Sequence, residues 1–338
     1  MKGVVVAALV SAVALPALVV AGPVVPDHRL NPYHVPTSPS YVARVTPSIV
    51  GLRVRAAENA PSSARLGAQR FASGVIFDPR GYAVTVSYAV MDAVAIEATT
   101  RDRGTVPARL VAIDFETGLG VVKLGADGPW PAAMLGDSHD MKSGDLTGTV
   151  GVDEDNDLVW VAGQVQAVRR FSAYWEYMLD RALFVAPSSP SWGGSAIVDS
   201  FGRVVGLASL RLGEAPYVNV AIPAEKFRAV KDELIVAGRV VSRPPRPWLG
   251  LYTLGASDRV VIDGFATTGP ARAAGFQKGD RIVRVNGVAV QSQEEFYEAL
   301  WRARAGDVVE VAVERAGHVH VIPVRSVDRH DVIGRPRH

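Results

Sequence analysis

The run Ser189-Pro190-Ser191-Trp192-Gly193-Gly194-Ser195 places several hydroxyls around a tight Gly-Gly turn that feeds an apolar strand, Ala196-Ile197-Val198. A hydroxyl there supports acyl transfer only with an imidazole base and an acid that orients the base. The histidines are His28, His34, His139, His318, His320, His330 and His338. Of these, only His139 falls between the N-terminal tether and the last part of the chain, in a polar turn that predicts a surface position. A Ser–Lys pair would need Lys123 beside Ser191 or Ser195, and nothing in the sequence brings its apolar strand to that loop. Asp153, Asp155 and Asp157 imitate the first ligands of a calcium loop. However, Leu158 stands where that loop needs glycine and Gln164 where it needs a bidentate glutamate, so a solvated acidic turn is expected. His318 and His320 would share one face of a strand without a third ligand in view. Cysteine is absent, which excludes disulfides and thiolate metal sites, and no metal or cofactor is expected. Phe171, Tyr174, Trp175, Tyr177, Met178 and Phe184 form an aromatic-rich patch that reads equally as loop packing or as a contact surface.

The elements around the serine run carry a resemblance. Gly193-Gly194 followed by an apolar strand, the turn Asp199-Ser200-Phe201-Gly202 and the strand Val204-Val205-Gly206-Leu207 read as a hairpin. This frame resembles the nucleophile loop of HtrA-like (DegP-like) serine proteases of the trypsin fold, whose motif is Gly-Asn-Ser-Gly-Gly-Pro. Laid on that motif, Ser191 takes the Asn place and Trp192 the place of the nucleophile. Ala72 to Ile76 followed by Gly81 to Val90 is similar to the strand–turn–strand that leads to the family's histidine, and that place is Tyr88. Asp114 to Leu124 is similar to the aspartate segment, and that place is Gly118. The resemblance also implies an oxyanion hole built partly from the N–H two residues before the nucleophile. Here that residue is Pro190, which has no N–H. The implied chain is therefore a pseudoprotease with no catalytic residue. An indole only donates a hydrogen bond, and a phenol with a reference pKa near 10 is a poor base at neutral pH. Trp192 is expected to fill the dead cleft rather than to stand out as a binding anchor, with Tyr88 packed against it or hydrogen-bonded.

The 338 residues leave room for two folded domains, and 48% hydrophobic with 21% charged residues is a globular composition. A formal net charge of +2 gives no argument for nucleic acid. Lys2 precedes an uncharged, mostly apolar run to Val25, which fits a signal peptide cleaved near Val19-Val20-Ala21 or a retained membrane anchor. Either places the remainder outside the cytoplasm, in the periplasm or cell envelope. Residues 26–40 are a proline-rich tether. The trypsin-like resemblance covers 41–240, with a short helix from Tyr41, a strand over Gly51 to Arg55 and a polar surface loop over Ala57 to Gln69. A first barrel runs from Phe71 to about Leu124, and Gly125 to Asp140 cross to a second. The second barrel's strands are expected at Leu158–Val161, Gln164–Val168, Ala196–Val198, Val204–Leu210 and Tyr217–Ile222, with a helix from Ala224 towards Ala237. Residues 241–247, with Arg243, Pro244, Pro245, Arg246 and Pro247, read as a stiff, solvated linker, whose arginines would meet lipid headgroups only in an anchored chain.

Residues 248–328 resemble a PDZ domain and 329–338 a basic tail. Trp248-Leu249-Gly250-Leu251 matches the carboxylate-binding loop, and Gly269 to Gly287 matches the segment with a short helix at Pro270 and a hairpin turn at Asn286-Gly287. Ser292 and Glu295 form a capping box opening a helix with Phe296, Leu300 and Ala303 on one stripe, closing near Gly306. By resemblance, Leu249, Gly250 and Leu251 hold a ligand's carboxylate while Phe296 and Leu300 line its side-chain pocket. The expected fold class is mainly β, a trypsin-like double β-barrel followed by a C-terminal α+β PDZ domain. The resemblance implies a protein partner or peptide C-terminus bound through the PDZ domain and membrane attachment through the N-terminal segment. It also allows a homo-oligomer or a subunit of a larger envelope complex. A working HtrA-like endopeptidase in periplasmic quality control, and a structural membrane subunit with a vestigial groove, are the competing readings.

Overall fold

The computed structural model describes residues 38–214, 217–256 and 258–333. The N-terminal apolar run, most of the tether and residues 334–338 of the tail lie outside them. Among the described residues, no helix is long and apolar enough to cross a membrane.

Short β-rich runs separated by turns close into two barrels. The first contains β1 (Ile49–Ala56), β2 (Gln69–Asp78), β3 (Tyr82–Val86), β4 (Ala93–Thr100), β5 (Gly104–Asp114) and β6 (Leu119–Leu124), in the order β1-β2-β3-β6-β5-β4. Helix α1 (Ser40–Val45) leads into it, α2 (Ser63–Leu66) interrupts the loop expected over Ala57 to Gln69, and α3 (Ser87–Val90) follows β3. The second barrel contains β7 (Leu146–Val152), β8 (Leu158–Ala173), β9 (Tyr177–Ala186), β10 (Ala196–Val198), β11 (Val204–Leu212) and β12 (Val218–Pro223), in the order β10-β11-β12-β9-β8-β7. Strand β8 is continuous where two short strands were expected, because its first half pairs with β7 and its second half, from Gln164 to Ala173, pairs with β9 through two register shifts. The long hairpin it forms with β9 extends beyond the barrel. One buried cluster joins the two barrels, bringing Val75, Val84 and Leu119 together with Val150, Phe171 and Phe184. The expected single helix after β12 is two, α4 (Ala224–Arg228) and α5 (Lys231–Ala237).

The C-terminal domain opens with β13 (Pro247–Trp248), β14 (Leu251–Ala256) and β15 (Arg259–Phe265). It continues through β16 (Arg281–Val285), β17 (Val288–Ala289), β18 (Val308–Arg315), β19 (His318–Arg325) and β20 (Val327–Asp328). Its sheet runs β14-β15-β16-β18-β19, and β20 returns to pair with β13. Helix α6 (Gln293–Leu300) is capped as expected, since Ser292 Oγ accepts from the Glu295 N–H at 3.1 Å and Glu295 reaches back to the Gln291 N–H at 2.8 Å. It ends at Leu300, short of Gly306. The segment after Pro270 is one turn rather than a helix, closed by the Ala274 N–H on the Pro270 carbonyl at 3.1 Å. The tail does not simply continue outward: α7 (Arg329–Val332) folds back onto the first barrel.

Candidate functional site

Tyr88, at the start of α3, directs its hydroxyl to the Ser209 carbonyl on β11 at 2.7 Å. Burial pushes this phenol well above its ordinary value, so it holds its proton. Its ring lies 6.4 Å from that of Trp192. Trp192 is half-buried and packs on the cluster of Leu183, Val185, Ile197, Val205, Ala208 and Ala221. The indole is therefore packed on the second barrel rather than standing out from it. Ser195 is fully buried, with its hydroxyl on the Ser191 carbonyl and 3.3 Å from Ser73 Oγ. Lys123 Nζ donates to the Leu124 carbonyl at 2.9 Å and lies over the Tyr82 ring. Each is thus bonded to a backbone carbonyl and not to the other. Pro190 is exposed at the mouth of the loop. The Gly-Gly frame has a packing reason of its own. Gly194 has φ +80°, and a Cβ there would sit 2.1 Å from the Ser73 carbonyl oxygen, so only glycine lets the loop lie against β2.

At Gly118 the space for an acid is filled. Its φ is +80°, and a Cβ would stand 2.8 Å from the Tyr177 hydroxyl, which donates to the Thr117 carbonyl at 2.8 Å. Tyr177, the first residue of β9, is buried and its phenol is held well above its ordinary value by that burial. Asp114, four residues earlier, accepts from Thr117 Oγ1 at 2.8 Å and pairs with Arg243 at 2.6 Å.

The loop expected to hold a ligand's carboxylate is bonded to a carboxyl group of the chain itself. Glu176 Oε2 accepts from the Leu249 N–H at 3.0 Å, and Oε1 accepts from the Leu251 N–H at 2.6 Å. Glu176 closes the three-residue turn between β8 and β9 with φ +54°, a conformation that favours glycine in such loops. Burial pushes its carboxyl up to about 7, against the pull of the loop's amides and of Arg329. The rest of the hairpin tip spans the groove. The Thr253 N–H of β14 donates to the Tyr174 carbonyl at 2.9 Å. From α6, Tyr297 Oη donates to the Ala173 carbonyl at 2.6 Å and accepts from the Glu176 N–H at 3.1 Å. Ser172 Oγ donates to Glu294 at 2.6 Å, and Arg170 pairs with Glu298 at 2.6 Å. Arg65 of α2 covers the end, 4.0 Å over the Tyr252 ring and 5.8 Å over Tyr174. Phe296 and Leu300, expected to line an open pocket, are fully buried in a core against which Met178 of β9 packs. The aromatic patch thus divides. Phe171, Tyr177 and Phe184 belong to the barrel core and Trp175 packs against it, stacked on Tyr177, while Tyr174 meets Tyr252 of the second domain.

The linker is pinned rather than solvated. Arg243 pairs with Asp114 at 2.6 Å and with Glu116 at 3.1 Å, and Arg246 pairs with Glu116 at 2.9 Å while lying 4.1 Å over the Trp301 ring. The cause is Asp114, whose side chain is only 2% exposed and needs a cation. Burial raises the Glu116 carboxyl, opposed by Arg246 and Arg243. His330 of α7 lies 3.0 Å from Asp328 Oδ1 through Nδ1 and 3.0 Å from the Ile113 carbonyl through Nε2. This Asp–His pair packs on the outside of the first barrel through Ile113 and Phe115, and its far nitrogen faces a carbonyl and not a hydroxyl. A cavity of about 40 Å³, enough for little more than a water, remains at this seam between Phe115, Glu176, Trp248, Trp301 and Arg329.

The other candidates keep their plain roles. Asp153 Oδ1 accepts from the Asp155 and Asp157 N–H groups in a local turn. His139, His318 and His320 are exposed. Among the described residues, no cluster of ligating side chains fits a metal. Glu176 carries no motif in the sequence. The only signal pointing to it was the aromatic run around it.

Residues 72–207 match the trypsin-like peptidase domain and residues 247–325 the PDZ domain. The chain is 28% identical to the serine endoprotease DegS of Escherichia coli over 314 residues, covering 85% of this chain and 87% of that protein. It is 26% identical to the serine protease Do-like HtrA of Bacillus subtilis over 272 residues, covering 72% of this chain and 61% of that protein. Among solved structures, the HtrA-type protease AlgW with a decapeptide superposes with a TM-score of 0.54 at 22% identity, covering 86% of this chain and 98% of AlgW. The serine endoprotease from Yersinia pestis superposes with a TM-score of 0.55 at 24% identity, covering 87% of this chain and 99% of that one.

Proposed function

Because the chain belongs to the HtrA-like family, we propose that it keeps the family's frame for recognition and not for hydrolysis. It is an extracytoplasmic, catalytically inactive protein that binds a protein partner or a peptide C-terminus, as a scaffold, assembly factor or accessory subunit of an envelope complex. What supports this reading is that each of the three places the resemblance gives to the triad is taken up by a side chain that neither attacks nor accepts a proton. A protonated phenol is bonded to Ser209, a second phenol occupies the aspartate's space beside Gly118, and an indole lies in the nucleophile's place. Acyl transfer needs an attacking atom and a base within reach of it, and these groups supply neither. Peptide recognition draws support from the PDZ match and from the peptide-bound AlgW structure. The extracytoplasmic placement draws on the apolar N-terminal run and on relatives such as the probable periplasmic DegP-like endoprotease of Marinomonas. Attachment to the membrane through that run is part of the proposal.

The competing reading, a working endopeptidase, rests on the relatives being named serine proteases. It requires a nucleophile elsewhere, and Ser195 is buried with its hydroxyl engaged. Fluorophosphonate labelling and casein digestion of the purified chain separate the two. No label and no digestion are expected, from the chain itself or from Trp192→Ala. Stoichiometric labelling that persists in Trp192→Ala would establish the endopeptidase instead.

A further inference from the structure

We propose that Glu176 is a built-in ligand of the PDZ carboxylate loop, so that an external C-terminal carboxylate enters only by expelling the tip of the β8–β9 hairpin. The inference rests on the peptide-binding reading above and adds what the ligand must compete with.

The geometry supplies each part of such an occupant. A peptide C-terminus in a PDZ groove presents a carboxylate to the loop's N–H groups and adds its backbone to the following strand, with α6 as the opposite wall. Glu176 presents a carboxylate to the Leu249 and Leu251 N–H groups. The Tyr174 carbonyl takes the Thr253 N–H, the first backbone bond a ligand strand would make to β14. Tyr297, Glu294 and Glu298 of α6 hold the other side of the tip. The buried state of Phe296 and Leu300 follows, since no apolar surface of either is left for a second occupant. Glu176 also adopts a left-handed backbone conformation, φ +54°, that is strained for a non-glycine residue. That conformation is retained at the position whose side chain reaches the loop.

A carboxylate is therefore the favoured feature of any displacing ligand. Its amide counterpart is the poorer competitor, because its carbonyl oxygen accepts from one of the two N–H groups while its NH2 leaves the other facing a donor.

The test uses the full chain, Glu176→Gly and Glu176→Gln. Glycine suits the turn and removes the side chain, while glutamine keeps its size and is the safer variant for folding. The probes are fluorescein-labelled decapeptides ending in Ala, Val, Leu or Phe, each as the free acid and as the C-terminal amide. Hydrogen exchange of the Leu249–Leu251 amides is followed in parallel. The expected result is faster exchange at these amides in both variants. It comes with at least tenfold tighter binding of one or more free acids than to the unaltered chain, and a smaller gain for the amides. Unchanged exchange overturns the proposal, as does equal free-acid affinity in all three proteins. Faster exchange with no peptide bound by any of them leaves Glu176 as the loop's occupant and overturns the peptide-binding reading instead.

Discussion

Placing an aspartate at residue 118 should damage the fold more than it helps any chemistry. Gly118 has φ +80°, and the new Cβ would stand 2.8 Å from the Tyr177 hydroxyl and 3.1 Å from its ring. The left-handed backbone costs a non-glycine residue about 1–2 kcal/mol. Moving the phenol aside breaks its bond to the Thr117 carbonyl, and an unpaired buried acceptor costs about 1–3 kcal/mol more. Gly118→Asp is thus expected to lose about 2–5 kcal/mol, which lowers the melting temperature of a domain this size by about 4–20 °C. Gly104→Asp is the control, because Gly104 also has a positive φ, +66°, but a Cβ there meets nothing within 4 Å. Thermal unfolding followed by far-ultraviolet circular dichroism should show Gly118→Asp melting well below Gly104→Asp. Equal melting temperatures for the two would refute the claim that Tyr177 fills the acid's place. Adding Tyr177→Phe, which removes the clashing oxygen, should recover part of the difference.

Further outcomes follow from the other contacts. The triple variant Trp192→Ser, Tyr88→His, Gly118→Asp should remain far slower than a working relative on an unstructured substrate. Pro190 withholds one oxyanion donor, a loss that costs about 10²–10³ in turnover elsewhere, and Tyr177 blocks the new acid; near-normal casein turnover would contradict this. Arg243→Ala strands the buried Asp114 carboxylate. With Arg243 itself partly exposed, the loss should be about 1–3 kcal/mol in urea unfolding, with faster proteolysis across 241–247; an unchanged midpoint would argue against the clamp. Glu176 sets a pH dependence. Arg329 from α7, Tyr252 from β14 and Tyr297 from α6 face it, and burial raises its carboxyl to about 7. A folded-state value above the unfolded one means the native state holds the extra proton. This contribution is therefore complete below about pH 4.5 and lost as pH rises towards 7, at up to about 1.4 kcal/mol per pH unit. Melting temperature should fall across this window, and Glu176→Gln should flatten that part of the profile. A parallel profile for the variant would assign the slope to other groups.

The double barrel and the PDZ domain were legible, and three places could be matched to the triad by resemblance, because each rests on local patterns: Gly-Gly before an apolar strand, Asn286-Gly287 in a hairpin, Ser292 with Glu295 at a helix start. What fills those places was not. Tyr177 lies 60 residues from Thr117 and Glu176 lies 73 from Leu249, so neither pairing leaves a trace at short range. The solvated reading of the linker failed for the same reason. Arg243 and Arg246 follow the local rule for a proline-rich connector, and only the fold brings Asp114 and Glu116 to them. The aromatic run from Phe171 to Phe184 was ambiguous because it does two jobs. Alternate residues of one hairpin face the barrel interior while its tip meets the second domain.

Glu176 and Tyr177 are consecutive. One side chain stops the PDZ loop and the next stops the aspartate's slot, so a single peptide bond couples the two blockages. Lengthening or shortening that turn by one residue shifts both contacts at once. The pair thus acts as one latch at the hairpin tip, holding a loop of one domain and a turn of the other from adjacent residues.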